Sequence, residues 1–126
     1  MWPDVIQVGS ACSGMGTEHW AMKDMSERCF QQVFVCEKDA AARSFLEANM
    51  PSEVRSYIDV MGDEFQNCAP PCDVFMAGFP CQPFSVAGNG QGIADPKGRG
   101  IVIEGIMQYI SKYMPRIVVL EMWQAL

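Results

Sequence analysis

DVIQVGSACSGMG, residues 4–16, decides how the rest of the chain is read. Residues 4–8 have the apolar, β-branched character of a strand, ended by Gly9 and Ser10. A helix begins near Gly16 and runs through His19, Trp20, Ala21 and Met22 to about Glu27. Gly14 and Gly16 fall between the two elements. Glycine at a strand-to-helix junction lets the backbone come close to a ligand beside the positive end of the helix. It serves a plain tight turn equally well. A full GxGxxG is absent, so these glycines signify binding only in company with other residues.

Outward from this stretch, short apolar runs alternate with helical patterns. Residues 33–36 form a continuous apolar second strand, of the kind a sheet covered on both faces requires. Asp39 can cap a helix through residues 40–49 by accepting from first-turn amides, and Pro51 follows its end. Residues 54–57 are a weaker third strand and residues 73–77 a stronger fourth, followed by a Gly/Pro-rich stretch to Gly100. Val102, Ile106, Ile110 and Tyr113 then share one face of a helix. Residues 116–120 form a last strand that runs into Glu121. This order predicts an α/β, Rossmann-like fold around a mostly parallel sheet, in which ligands bind beyond the carboxyl ends of the strands. Ser13 to Gly16, Glu37, Asp59, Cys81 and Glu121 would each follow a strand and open onto that one rim.

The 126 residues, 49% hydrophobic and 19% charged, suit one globular domain. No apolar run is long enough to span a bilayer, and the first residues lack a secretory signal, so the expectation is an intracellular protein whose six cysteines stay reduced. The cysteines are irregularly spaced and His19 is the sole histidine, so no metal site is expected. Cys68 and Cys72 form the one close pair, and a thiol redox protein built on them is a competing reading. A net charge of −6 without any Lys/Arg cluster argues against a basic nucleic-acid face. If the substrate is a polynucleotide, most phosphate contacts must come from elsewhere.

Glu37 stands where nucleotide-binding sheets place an acid against ribose hydroxyls. No P-loop lysine occurs, so a cofactor with ribose and adenine but no phosphate fits best, and S-adenosylmethionine is such a molecule. GFPCQPFS, residues 78–85, sets Cys81 in a stiff loop with a proline before it and another two residues on. Such a backbone presents a thiol rather than burying it, although an unreactive turn cysteine would look alike. Glu121, at the mouth of the neighbouring strand, would supply a partly shielded carboxyl able to bond a ring nitrogen.

With these residues in view, the sequence resembles the cytosine-C5 methyltransferases that use S-adenosylmethionine. GFPCQPFS resembles their catalytic loop, SACSGMGT (10–17) their cofactor glycine motif and CEKD (36–39) their ribose-contacting acid. IDV (58–60) resembles the adenine-contacting aspartate, DPKGRGIVIE (95–104) the arginine-glycine segment and LEM (120–122) the glutamate motif. The resemblance implies that Cys81 adds to C6 of cytosine while Glu121 holds N3. C5 then takes the methyl group, and loss of the C5 proton expels Cys81. Pro80 would shape the pocket and Arg99 orient Glu121 or the base. The implied cofactor site comprises Cys12, Ser13, Gly14, Met15, Gly16, Glu37, Lys38, Asp59, Val60, Gly78 and Pro80.

Three positions depart from the family pattern. Cys12 stands for a usual phenylalanine, Lys38 for an apolar cover over adenine, and Met122-Trp123 for Asn-Val. No later arginine motif, recognition region or closing helix has a counterpart in residues 1–126, so the expectation is a partial catalytic domain, incomplete on its C-terminal side and poorly stable or self-associating. Its expected substrate is cytosine in DNA, with a missing C-terminal region or a complementing subunit as partner and no membrane. Phe79 before Pro80 leans away from the RNA-acting branch. That branch and a non-catalytic cofactor-binding or partner module are the alternatives. The expected location is the nucleus in a eukaryote, otherwise the cytoplasm or nucleoid.

Overall fold

The computed structural model describes residues 1–25, 30–80 and 101–123. Five strands alternate with four helices: β1 (Ile6–Ala11), α1 (Thr17–Met25), β2 (Phe30–Cys36), α2 (Ala40–Asn49), β3 (Arg55–Tyr57), α3 (Asp63–Cys68), β4 (Val74–Pro80), α4 (Ile101–Tyr113) and β5 (Ile117–Trp123). All pairings are parallel, in the order β3-β2-β1-β4-β5. The chain winds outward from β1 to β3, then returns to place β4 on the other side of β1. The carboxyl ends of β1 and β4 therefore flank a topological switch point, where open α/β sheets bind ligands.

One face of the sheet is closed by an aromatic cluster. Phe34 of β2 lies with its ring centre 5.3 Å from Tyr109 and 5.7 Å from Phe65, and Tyr57 and Phe75 surround it at similar range. α4 contributes Ile106 and Tyr109 to this core, and the Tyr109 hydroxyl donates to the Pro70 carbonyl at 2.7 Å. On the other face α1 covers β1 and β2 through Met22, packed with Val8 and Val74.

The first strand is longer than its sequence pattern predicts. It continues through Gly9 and Ser10 to Ala11, because Gly9 is a packing residue rather than a turn. A Cβ there would lie 2.2 Å from the Phe34 ring. Residue 33 is the extra residue where the β1–β2 register slips, which keeps Phe34 on the aromatic face. The short α3 was not anticipated: with Phe65 its one buried residue, six residues carry no readable period. Glu121 lies within β5 rather than after it.

Among the described residues β5 pairs with β4 alone, and it is apolar on both faces. Ile117 and Val119 are 45% and 46% exposed, and Val118 and Leu120 on the opposite face 37% and 43%. No described helix is long and apolar enough to cross a membrane.

Two outcomes follow from this packing. Gly9→Ala should destabilise the chain by about 1–3 kcal/mol in urea unfolding, since the ring beside it has to move; an unchanged midpoint would contradict the close approach. The open β5 should drive self-association at micromolar concentration. Sedimentation should show species heavier than 14.0 kDa that the double change Val118→Lys, Leu120→Lys returns to monomer.

Candidate active site

The loop after β1 is held by its neighbour strand. The Ser13 N–H donates to the Cys36 carbonyl at 3.1 Å, and the Cys36 N–H donates to the Ser13 hydroxyl at 3.2 Å. Gly14 and Gly16 both take left-handed conformations, with φ of 54° and 77°. At Gly16 a side chain would also strike Leu46 and Met50 of the α2 region, at 2.8 and 2.6 Å. Both glycines are thus favoured by conformation, and Gly16 is required by packing too.

Glu37 grips this loop. Its Oε2 accepts the Gly14 N–H at 2.6 Å and its Oε1 accepts the Asp39 N–H at 3.0 Å, while its own N–H donates to the Tyr57 carbonyl. Asp39 caps α2 through the Ala42 N–H at 2.8 Å, as its sequence position predicts. Next along the rim, Asp59 accepts the Met61 N–H at 2.9 Å, and the exposed Lys38 ammonium lies 3.8 Å from its other oxygen. Val60 is buried beside them. Cys12 sits close to Glu37 and Asp59. Burial, reinforced by those two carboxylates, pushes its thiol up to about 12, so Cys12 is a wall and not a nucleophile.

A cofactor with a ribose diol fits this end of the rim. Each Glu37 oxygen has taken one backbone donor, and a carboxylate oxygen can accept a second. The left-handed Gly14, with open space where its side chain would be, leaves the backbone approachable.

Further along, β4 and β5 run in register, with Gly78 opposite Glu121 and Pro80 opposite Trp123. A cavity of about 370 Å³ opens there, lined by the β1 loop, the start of α1 and the ends of β4 and β5, including Gly78 and Glu121. Glu121 is exposed rather than partly shielded as expected, and among the described residues β5 pairs with β4 alone. Cys81 and Arg99 lie outside the described residues. Met15 is exposed on the glycine loop, and its carbonyl accepts the Trp20 indole N–H.

The sequence reading missed Glu18. It lines the same cavity, and its Oε1 is shut off from solvent without a hydrogen-bond partner. No signal distinguished it, since acids are favoured in any first helical turn. A larger cavity of about 440 Å³ lies away from the rim, between α1, the start of β2 and the end of α2. Its position against Phe30 and Gln32 puts it near the wrong end of the strands for the chemistry.

Residues 6–122 match the family model described as C-5 cytosine-specific DNA methylase. The chain belongs to that family. Among curated relatives it is 37% identical over 89 residues to the type II methyltransferase M.NgoBI of Neisseria gonorrhoeae, an alignment covering 71% of this chain and 26% of the relative. It is 32% identical over 110 residues to M.HpaII of Haemophilus parainfluenzae, covering 86% and 29%. The chain thus spans about a quarter of the length of such relatives. The S. pombe Dnmt2 methyltransferase structure superposes with a TM-score of 0.56 over 93% of this chain and 34% of that one, at 16% identity, which shows a shared fold. The expected family and the Rossmann-like fold are both borne out.

The pair Cys68 and Cys72 is poorly suited to redox exchange. Cys72 is buried with the Tyr109 hydroxyl directed at its sulfur, and burial pushes its thiol up. Alkylation of the native chain with iodoacetamide at pH 8 should therefore modify exposed Cys68 at least about a hundredfold faster than Cys12, whose thiolate fraction there is about one in ten thousand. Comparable rates at the two positions, read by peptide mass spectrometry, would contradict the raised Cys12 thiol.

Proposed function

We propose that this chain is the cofactor-binding and nucleophile-bearing part of an enzyme that methylates cytosine at C5 in DNA. The observation that carries the reading is the register of β4 on β5, which sets Glu121 beside Gly78, three residues before Cys81 in the chain. An acid and a thiol supplied by adjacent parallel strands can address two positions of one planar ring. In this reading S-adenosylmethionine, held by Glu37, Asp59, Val60 and the loop 12–16, supplies an electrophilic methyl group. Lys38 lends its stem over the adenine.

Cys81 adds as a thiolate to C6 and makes C5 electron-rich. Glu121 holds the proton at N3 that neutralises the ring. C5 would then take the methyl group, leaving the cofactor as its neutral thioether, and loss of the C5 proton to solvent re-forms the double bond and releases Cys81 as a thiolate. Pro80 shapes the pocket wall, and Arg99 orients Glu121 or the base. The base has to leave its stack, which costs roughly a few kcal/mol. DNA is favoured over RNA by the family to which the chain belongs.

The acidic charge of −6 and the exposed β5 point to the same partner. A further part of the enzyme, in the same chain or as a complementing subunit, covers β5, shields Glu121 and supplies the cationic grip on phosphate. The complex acts inside the cell, where its DNA is.

Two readouts test this. With that further part supplied, the protein should form a covalent adduct on duplex DNA carrying 5-fluorocytosine; Cys81→Ser should abolish it and Glu121→Gln should slow it by about a hundredfold or more. The 126-residue chain alone should bind S-adenosylhomocysteine in calorimetry yet leave DNA unmethylated. An adduct that survives Cys81→Ser, or robust turnover by the chain alone, would contradict the assignment.

A further inference from the structure

The strand order fixes how a cofactor of this shape must lie. With adenine at Asp59 on the β3 side and ribose at Glu37 after β2, the rest of the molecule extends across the β1 loop toward β4. That path leads into the cavity of about 370 Å³ between the start of α1 and the ends of β4 and β5. What remains of the cofactor is an amino acid, carrying one ammonium and one carboxylate. The start of α1 is a favourable place for the carboxylate, because helix N-termini attract anions. The ammonium needs an anion of its own.

Glu18 is a half-buried acid that lines this cavity. The Ser10 hydroxyl and the Glu18 N–H lie within reach of its carboxylate, while its Oε1 is enclosed with no hydrogen-bond partner among the described residues. No cation among the described residues offsets it, and Glu37 adds like charge. A carboxylate kept in this state is costly unless something cationic arrives to meet it. Resting on the cofactor reading above, we propose that Glu18 receives the α-ammonium of the cofactor's methionine arm. Glu18 is thereby a cofactor-binding residue rather than a packing one.

The role separates from a structural one by its opposite effects on stability and binding. Burial raises the Glu18 pKa, so the folded state holds the proton more tightly than the unfolded chain does. Stability is then lost as pH rises through that range, and the charged group is a burden on the free protein at neutral pH. Glu18→Gln should therefore raise the melting temperature of the free chain. The same change should weaken S-adenosylhomocysteine about tenfold in calorimetry, as loss of a charge-assisted bond does. An analogue with hydrogen in place of the α-amino group should bind the unaltered chain and Glu18→Gln equally. A lowered melting temperature with equal losses for both ligands, or undiminished binding of S-adenosylhomocysteine by Glu18→Gln, would overturn the pairing while leaving the cofactor site intact. No binding of S-adenosylhomocysteine by the unaltered chain would overturn the cofactor site itself, and this pairing with it.

Discussion

The Glu37 carboxylate, accepting the Gly14 amide at 2.6 Å and the Asp39 amide at 3.0 Å, ties together the three segments on which the site depends. It links the end of β2 to the left-handed glycine loop and to the cap of α2. Charge-assisted bonds of this kind are each worth about 1.5–3 kcal/mol, more than a neutral pair. Without the clamp, a loop with positive φ at Cys12, Gly14 and Gly16 would have little to hold it in so restricted a conformation. Ser13, bonded to Cys36 through both backbone and hydroxyl, adds a second stitch one residue earlier. The ligand-facing rim is thus built by joining β1 to β2 before any ligand is present.

The other end of the rim is constructed differently. β4 and β5 align Gly78 with Glu121 through backbone pairing alone, and nothing among the described residues packs over the outer side of β5. Ile117, Val118, Val119 and Leu120 remain open to water, as does Glu121. One half of the sheet is finished by an aromatic core and a polar clamp, while the other presents an apolar edge that self-pairs or receives a partner. The Glu37 end and the Glu121 end of the rim accordingly differ in how completely the described residues build them.

Much of this was legible in the sequence because parallel strands buried on two faces read as apolar runs. Residues 33–36 and 73–77 announced their strands, and Asp39 its cap. The placement of Glu37 and Asp59 just after their strands followed from the alternation of elements, whereas Glu121 falls inside β5. What escaped the reading depended on packing between distant residues. Gly9 looked like a strand terminator, and only the Phe34 ring pressed against it explains why it is interior. Glu121 looked shielded, which would need a neighbour beyond β5. Glu18 looked like an ordinary first-turn acid. Its significance lies in a cavity whose walls come from β1, β4 and β5, and no local pattern encodes such a meeting.

In the proposed function the rim from Asp59 through Glu37 to the glycine loop receives S-adenosylmethionine. Amide nuclear magnetic resonance of the chain during titration with S-adenosylhomocysteine tests it most directly. Shifts should concentrate at residues 12–18, 37–39 and 59–61, with Lys23, Asn49 and the other residues lining the larger cavity unmoved. Shifts centred on that larger cavity, with the Gly14 and Glu37 amides unchanged, would contradict it.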